Sequence, residues 1–241
     1  MKKTIQKISL LAIFFSTTIC LAQQNIPSSQ RSHESIERIR PIIMKELAGK
    51  DLVIGAPIFI RIFKEEKCLE VWLKNDINFE LFKTYQICTY GSGGLGPKFR
   101  EGDGKAPEGF YFVTPSQLNP TSNFHLSFNL GYPNSYDRHH GRTGSALMVH
   151  GSCASIGCFA MTNNGIEEIF TLVDAAMRND QPFFRVHIFP YKMTSENMKK
   201  HNGSESYAFW SNLKEGYDFF ENNNKIPPNV EVNNGEYVFN N

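Results

Sequence analysis

Met148-Val149-His150-Gly151-Ser152-Cys153-Ala154-Ser155-Ile156-Gly157-Cys158-Phe159 holds the densest chemistry in the chain. A histidine ends an apolar, strand-like run, and a cysteine follows directly on a Ser-x-Gly turn. A cysteine nucleophile needs a base that generates the thiolate and donors that hold the developing oxyanion. His150 is the candidate base and Cys158 the candidate nucleophile. Gly157 lets backbone come close to a reacting carbonyl, and the N–H groups of Gly157 and Cys158 are the natural oxyanion donors. No Asp or Glu lies in the segment, so the carbonyl of Gly151 is the expected orienter of the His150 ring. Three other readings stand beside this one: a structural histidine, a zinc site from His150, Cys153 and Cys158 with His139 or His140, and a Cys153–Cys158 disulfide.

Outward from this segment the pattern is mostly that of strands. Pro57–Phe63, Cys68–Leu73 and Phe82–Thr89 are rich in Ile, Phe, Val and Tyr and are separated by charged turns. Phe124–Asn129, Ala146–His150 and Phe183–Phe189 read as further strands. The glycine-rich stretches Gly91–Pro97 and Gly102–Tyr111 open no helix, so they are not a phosphate loop and read as turns that line a site. Ile166–Met177 is the strongest helix, with Ile166, Ile169, Phe170, Val173 and Met177 on one face and caps from Thr162 to Asn164. An N-terminal helix is expected from Ser32 or Ser35 to about Leu47, with Pro41 marking a kink or a late start. The tail from Met193 to Tyr217 reads as helical and aromatic-rich, and a short strand follows Pro227-Pro228. The expected fold class is mainly β with flanking helices (α+β): a leader and helix over 23–50, a catalytic domain over 51–192, and an extension over 193–241 packed on it.

The whole chain has 241 residues, 41% of them hydrophobic, enough for a real core. Its 25 basic and 24 acidic residues give a formal charge of +1, which argues against a nucleic-acid partner. Lys2, Lys3 and Lys7 precede an apolar run over Ile8–Ile19, and Cys20-Leu21-Ala22 offers small residues for a signal peptidase. Cleavage after Ala22 would leave 22 basic against 24 acidic residues, a formal charge of −2. The expectation is an exported protein that meets a membrane only if the leader stays attached or Cys20 is lipidated. Export favours disulfides, and among Cys68, Cys88, Cys153 and Cys158 a Cys68–Cys88 bridge between neighbouring strands is the expected pair.

His150-Gly151 with Ser155-Ile156-Gly157-Cys158, preceded by Gly102 to Tyr111 with Ala106-Pro107-Glu108-Gly109, resembles the L,D-transpeptidase family with the YkuD-type catalytic domain. The segments Gly93–Lys98, Phe128–Arg138 and His150–Asn163 bring the likeness closest to the family's YafK-like branch. The resemblance implies a β-sandwich-like catalytic domain and a periplasmic cysteine enzyme. Such an enzyme attacks a meso-diaminopimelate amide carbonyl in peptidoglycan stem peptides and passes the acyl group to an amine or to water. It implies Cys158 as nucleophile and His150 as proton carrier, with no cofactor and no metal, and an outer-membrane lipoprotein as a candidate partner. A catalytically silent wall-binding module is the reading from another class. Ile156 stands where most of the family has His, and Ala160 where most has Arg. A substrate carboxylate would then need Arg142 or Arg138, whose forks match carboxylates, with Ser155, His140 and His125 as further groove-lining candidates.

Overall fold

The computed structural model describes residues 25–240, so the expected leader Met1–Ala22 lies outside the described residues. Its centre is β1 (Ile58–Phe63), buried along its whole length. Alternation sends Ile58, Ile60 and Ile62 into one core and turns Phe59, Arg61 and Phe63 to the opposite face. A strand covered on both faces reads as an unbroken apolar run, which is how Ile58 to Phe63 reads apart from Arg61.

Around it a five-stranded sheet runs in the order β3-β2-β1-β9-β4, with β2 at Cys68–Asn75, β3 at Asn78–Gln86, β4 at Gly109–Val113 and β9 at Phe184–Phe189. Only the β1–β9 pair in this sheet is parallel. A second sheet has the order β5-β6-β7-β8, with β5 at Leu118–Asn119, β6 at Ser127–Asn129, β7 at Met148–His150 and β8 at Phe159–Ala160, and the short helix α2 (Ser135–His139) lies between β6 and β7 in the chain. Cys88 N–H donates to the Ala160 carbonyl at 2.9 Å and Ala160 N–H to the Thr89 carbonyl at 2.9 Å, so the chain leaving β3 stitches the two sheets together. The architecture is mainly β with flanking helices.

Two apolar layers hold it. One lies between the sheets and the helices α1 (Gln30–Ala48) and α3 (Asn163–Arg178), and contains Ile43, Ile60, Phe128, Phe159, Phe170 and Val186. The other covers the far face of the large sheet with α5 (Tyr207–Asn222) and the hairpin β10 (Asn229–Asn233)–β11 (Glu236–Asn240). Arg61 is buried there against Phe63, Tyr217 and Phe220 and pairs with Glu221 at 2.6 Å. The tail is thus helical in two pieces, α4 (Ser195–Lys200) and α5, with turns between. Among the described residues no helix is long and apolar enough to cross a membrane.

Several boundaries shift for local reasons. α1 begins at Gln30 because Ser29 and Ser32 cap each other reciprocally, and it continues through Pro41. Phe124 and His125 precede β6 as loop, with His125 at φ 73°, and β7 starts only at Met148 because Ala146 sits at φ 52°. The cysteine pairing is corrected: Cys88 bonds to Cys153, with Cα atoms 5.3 Å apart, and Cys68 is a buried free thiol. The β2–β3 register explains it. Cys68 lies opposite Gln86, so Cys88 is two residues past that partner and already crossing to the second sheet.

Candidate active site

His150 and Cys158 are brought together by the parallel pair β7–β8, where Val149 lies opposite Phe159 and His150 opposite Ala160. Val149 and Phe159 are fully buried in the core. Alternation therefore turns Met148, His150, Cys158 and Ala160 to the other face. Cys158, one residue before β8, comes level with Met148, and its sulfur accepts the Met148 N–H at 3.4 Å. His150 stands diagonally beside it on the same face.

The imidazole is buried and fixed. Its Nδ1 donates to the Gly151 carbonyl at 2.5 Å, which leaves Nε2 as the acceptor nitrogen of the neutral ring. Phe124 covers the ring at 4.6 Å. Burial pushes the His150 pKa below the ordinary histidine value, and the Gly151 bond opposes that only in part. Gly151 must be glycine for close approach: a Cβ there would meet the Phe124 carbonyl and the Asn163 Oδ1, each at 2.8 Å.

Burial likewise raises the Cys158 thiol above its ordinary value, while the Met148 N–H and the nearby Lys98 ammonium pull it down. The thiol donates to the Ala146 carbonyl at 3.5 Å and shares no hydrogen bond with His150. At rest the pair is a neutral thiol and a neutral imidazole. Such contacts in ligand-free sites are often long and tighten only when substrate is bound.

The loop before the thiol is tied on three sides. Ser155 Oγ donates to the Cys158 carbonyl at 2.6 Å and accepts the Gly157 N–H at 3.0 Å, so Ser155 builds the turn. The Gly157 N–H is engaged within that turn, and the Cys158 N–H has no acceptor among the described residues. Ser152 N–H donates to Asn163 Oδ1 at 2.9 Å, and Cys153 is bonded to Cys88. With its sulfur committed to Cys88, Cys153 completes neither a three-ligand metal set nor a bridge to Cys158. On the other side Gly91, at φ 95°, lets its loop close on the turn: a Cβ there would lie 2.4 Å from the Gly104 carbonyl and 3.0 Å from Gly157 N.

The remaining candidates fall elsewhere. Arg142 is not a free clamp. It is buried, bonds Asp137 at 2.8 Å and lies over Phe99, Tyr136 and Phe209. His140 contacts the Gly235 carbonyl at 2.8 Å, holding the C-terminal hairpin, and His125 pairs with Glu167 at 2.7 Å beneath α1. Arg138 is exposed, held by the Pro133 carbonyl, and faces a separate cleft. Ile156 is 92% exposed on the tip of the site loop. Sequence reasoning gave Phe124, Asn163, Lys98 and Cys88 no role at the site, although Lys98 and Asn163 end the family-like segments Gly93–Lys98 and His150–Asn163 and Cys88 was half of the expected bridge to Cys68.

The two-sheet, mainly β fold thus sets the Cys158 thiol and an oriented His150 on one face of the β7–β8 pair. Residues 57–188 match the L,D-transpeptidase catalytic domain model (YkuD). The chain is 51% identical over 189 residues to "Putative L,D-transpeptidase YafK" of Escherichia coli (strain K12), covering 78% of this chain and 76% of that protein. The same figures hold for the protein of that name in Escherichia coli O157:H7. Among solved structures, the helical cell shape determining protein Pgp2 from Campylobacter jejuni aligns with TM-score 0.45 and 19% identity over 73% of each chain. This chain belongs to the L,D-transpeptidase catalytic domain (YkuD) family.

Proposed function

We propose that the chain is an exported, periplasmic peptidoglycan-modifying enzyme that cleaves a meso-diaminopimelate amide through a Cys158 thioester. The observation that carries this reading is the β7–β8 register. It puts His150 and Cys158 on one face, with Nδ1 spent on Gly151 and Nε2 left to take the thiol proton. In the proposed step His150 accepts that proton, sulfur attacks the carbonyl carbon, and the Cys158 N–H is the available donor to the oxyanion. The protonated imidazole then returns the proton to the departing amine. An incoming amine resolves the thioester by transpeptidation and water resolves it by hydrolysis, which would release an anchored outer-membrane lipoprotein. Both share the first half-reaction.

Intact mass of the chain after incubation with muropeptides, with and without an attached Lys peptide, tests this. The expected result is an acyl adduct on Cys158 that is absent in Cys158→Ala. A new cross-linked product assigns transpeptidation, and release of the Lys peptide with no new amide assigns hydrolysis. No adduct on either substrate refutes the chemistry and leaves a wall-binding module.

A further inference from the structure

A cleft of about 900 Å³ lies away from Cys158, which is not among its lining residues. It lies between the β4–β9 edge of the large sheet, the segment Asn129–Ala146 and the hairpin β10–β11. It meets the candidate active site at Ala146, which lines the cleft and whose carbonyl accepts the Cys158 thiol. Its hairpin wall, Asn229–Val232 with Tyr237, falls outside the residues 57–188 that match the family model. The hairpin therefore adds one wall to a cleft whose other lining residues belong to the matched domain.

Its chemistry is specific. Phe112, 58% exposed, and Phe183 form an edge-to-face aromatic wall at 5.7 Å. The Arg185 guanidinium lies over Phe183 at 5.3 Å and bonds Asn229 at 2.7 Å, and Arg138 also lines the cleft, held by the Pro133 carbonyl and Ser135 Oγ. Neither the half-buried Arg185 nor the exposed Arg138 has a carboxylate partner among the described residues, whereas the buried Arg61 and Arg142 do. Glu231 on the rim pairs with neither. Burial disfavours the Arg185 charge and no acid offsets it. Below them His187 is buried, its ring set edge-to-face against Phe59 and Phe110, each at 4.7 Å. Two guanidinium groups without a carboxylate partner beside an exposed aromatic wall match carboxylates and an apolar side chain on one flexible ligand.

We propose that this cleft binds a short acidic peptide, its carboxylates on Arg185 and Arg138 and an apolar side chain on Phe112 and Phe183. It rests on the proposed thioester chemistry only for what the bound peptide then does: the cleft reaches Ala146, so a bound peptide lies next to the Cys158 thiol.

The test is fluorescence anisotropy of fluorescein-labelled Ala-Glu-Phe-Asp-Leu on the full chain carrying Cys158→Ala, which cannot turn over. Saturable binding is expected, weakened about tenfold or more by amidating every carboxylate of the probe or by Arg185→Gln. Phe112→Ser should weaken it too. Amidation changes only the ligand, so it reads the proposal even if a protein variant folds poorly. Equal binding of the acidic and amidated probes overturns the proposal, as does binding unchanged by Arg185→Gln. Absence of saturable binding, or saturation by inorganic phosphate or a peptide-free glycan alone, overturns it as well. Thioester formation on the unmodified chain is read separately, so failure of the cleft leaves the Cys158 chemistry standing.

Discussion

At Cys158 and His150 burial acts on both partners of the proposed proton transfer, in opposite directions on the pH scale. It raises the thiol and lowers the imidazole, so the neutral pair is the resting state and the thiolate forms only as the proton moves. The sign of the pH dependence follows. A protonated His150 cannot accept the thiol proton, so thioester formation falls as pH drops through the His150 pKa, which lies below the ordinary 6.5. Single-turnover acylation measured against pH should show an acid limb with its midpoint below that value, and a midpoint above 7 would contradict a neutral buried base. His150→Ala should slow acylation by about two to four decades with the fold intact. A rate near that of the unmodified chain would exclude it as the base.

At the scale of elements, the loop between β7 and β8 is held by the Cys88–Cys153 bond, the Asn163 cap of Ser152 and the Ser155 turn. The bond closes a span of 65 residues across the two sheets, so its removal should destabilise the chain by about 2–4 kcal/mol. Thermal melts of the Cys88→Ala/Cys153→Ala double variant should show that loss, with slower acylation because the turn before Cys158 is freer. A double variant with unchanged Tm would make the bond incidental. The strand β1 shows how an element's neighbours can be hidden in plain sequence. The run Ile58–Phe63 is apolar on both faces apart from Arg61, but it does not say which element covers that residue. α5, far along the chain, supplies Tyr217, Phe220 and Glu221, which with Phe63, Trp72 and Glu70 surround it.

For the whole molecule, a buried polar knot joins the catalytic domain to its C-terminal extension. Lys64 Nζ donates to Glu108 at 2.8 Å and to the carbonyls of Gly96 and Ala106. Glu108 also accepts the Gly96 N–H and the Trp210 indole N–H, each at 2.8 Å. Burial lowers the Lys64 pKa, and Glu108 opposes that shift. Removing one partner leaves the other charge buried alone. Lys64→Met should therefore cost about 3–5 kcal/mol, whereas Lys64→Met with Glu108→Leu should recover part of the loss. Urea unfolding of the single and double variants checks this, and a single variant of unchanged stability would show that the knot is solvated.

The sequence by itself determined what depends on near neighbours: the strand runs, the α3 helix with its Thr162 cap, and the histidine–turn–cysteine spacing of the site. It also carried the family likeness, because that resides in short contiguous motifs. Tertiary structure alone decided what depends on residues distant in the chain. The β2–β3 register moved Cys88 past Cys68 to Cys153, the pocket of Asp137 and aromatic rings withdrew Arg142 from the groove, and the C-terminal hairpin built the wall of the large cleft. Periodicity reports which face of an element is apolar, but not which element will cover it. A cysteine's or an arginine's partner is fixed only when sheets pair and helices pack.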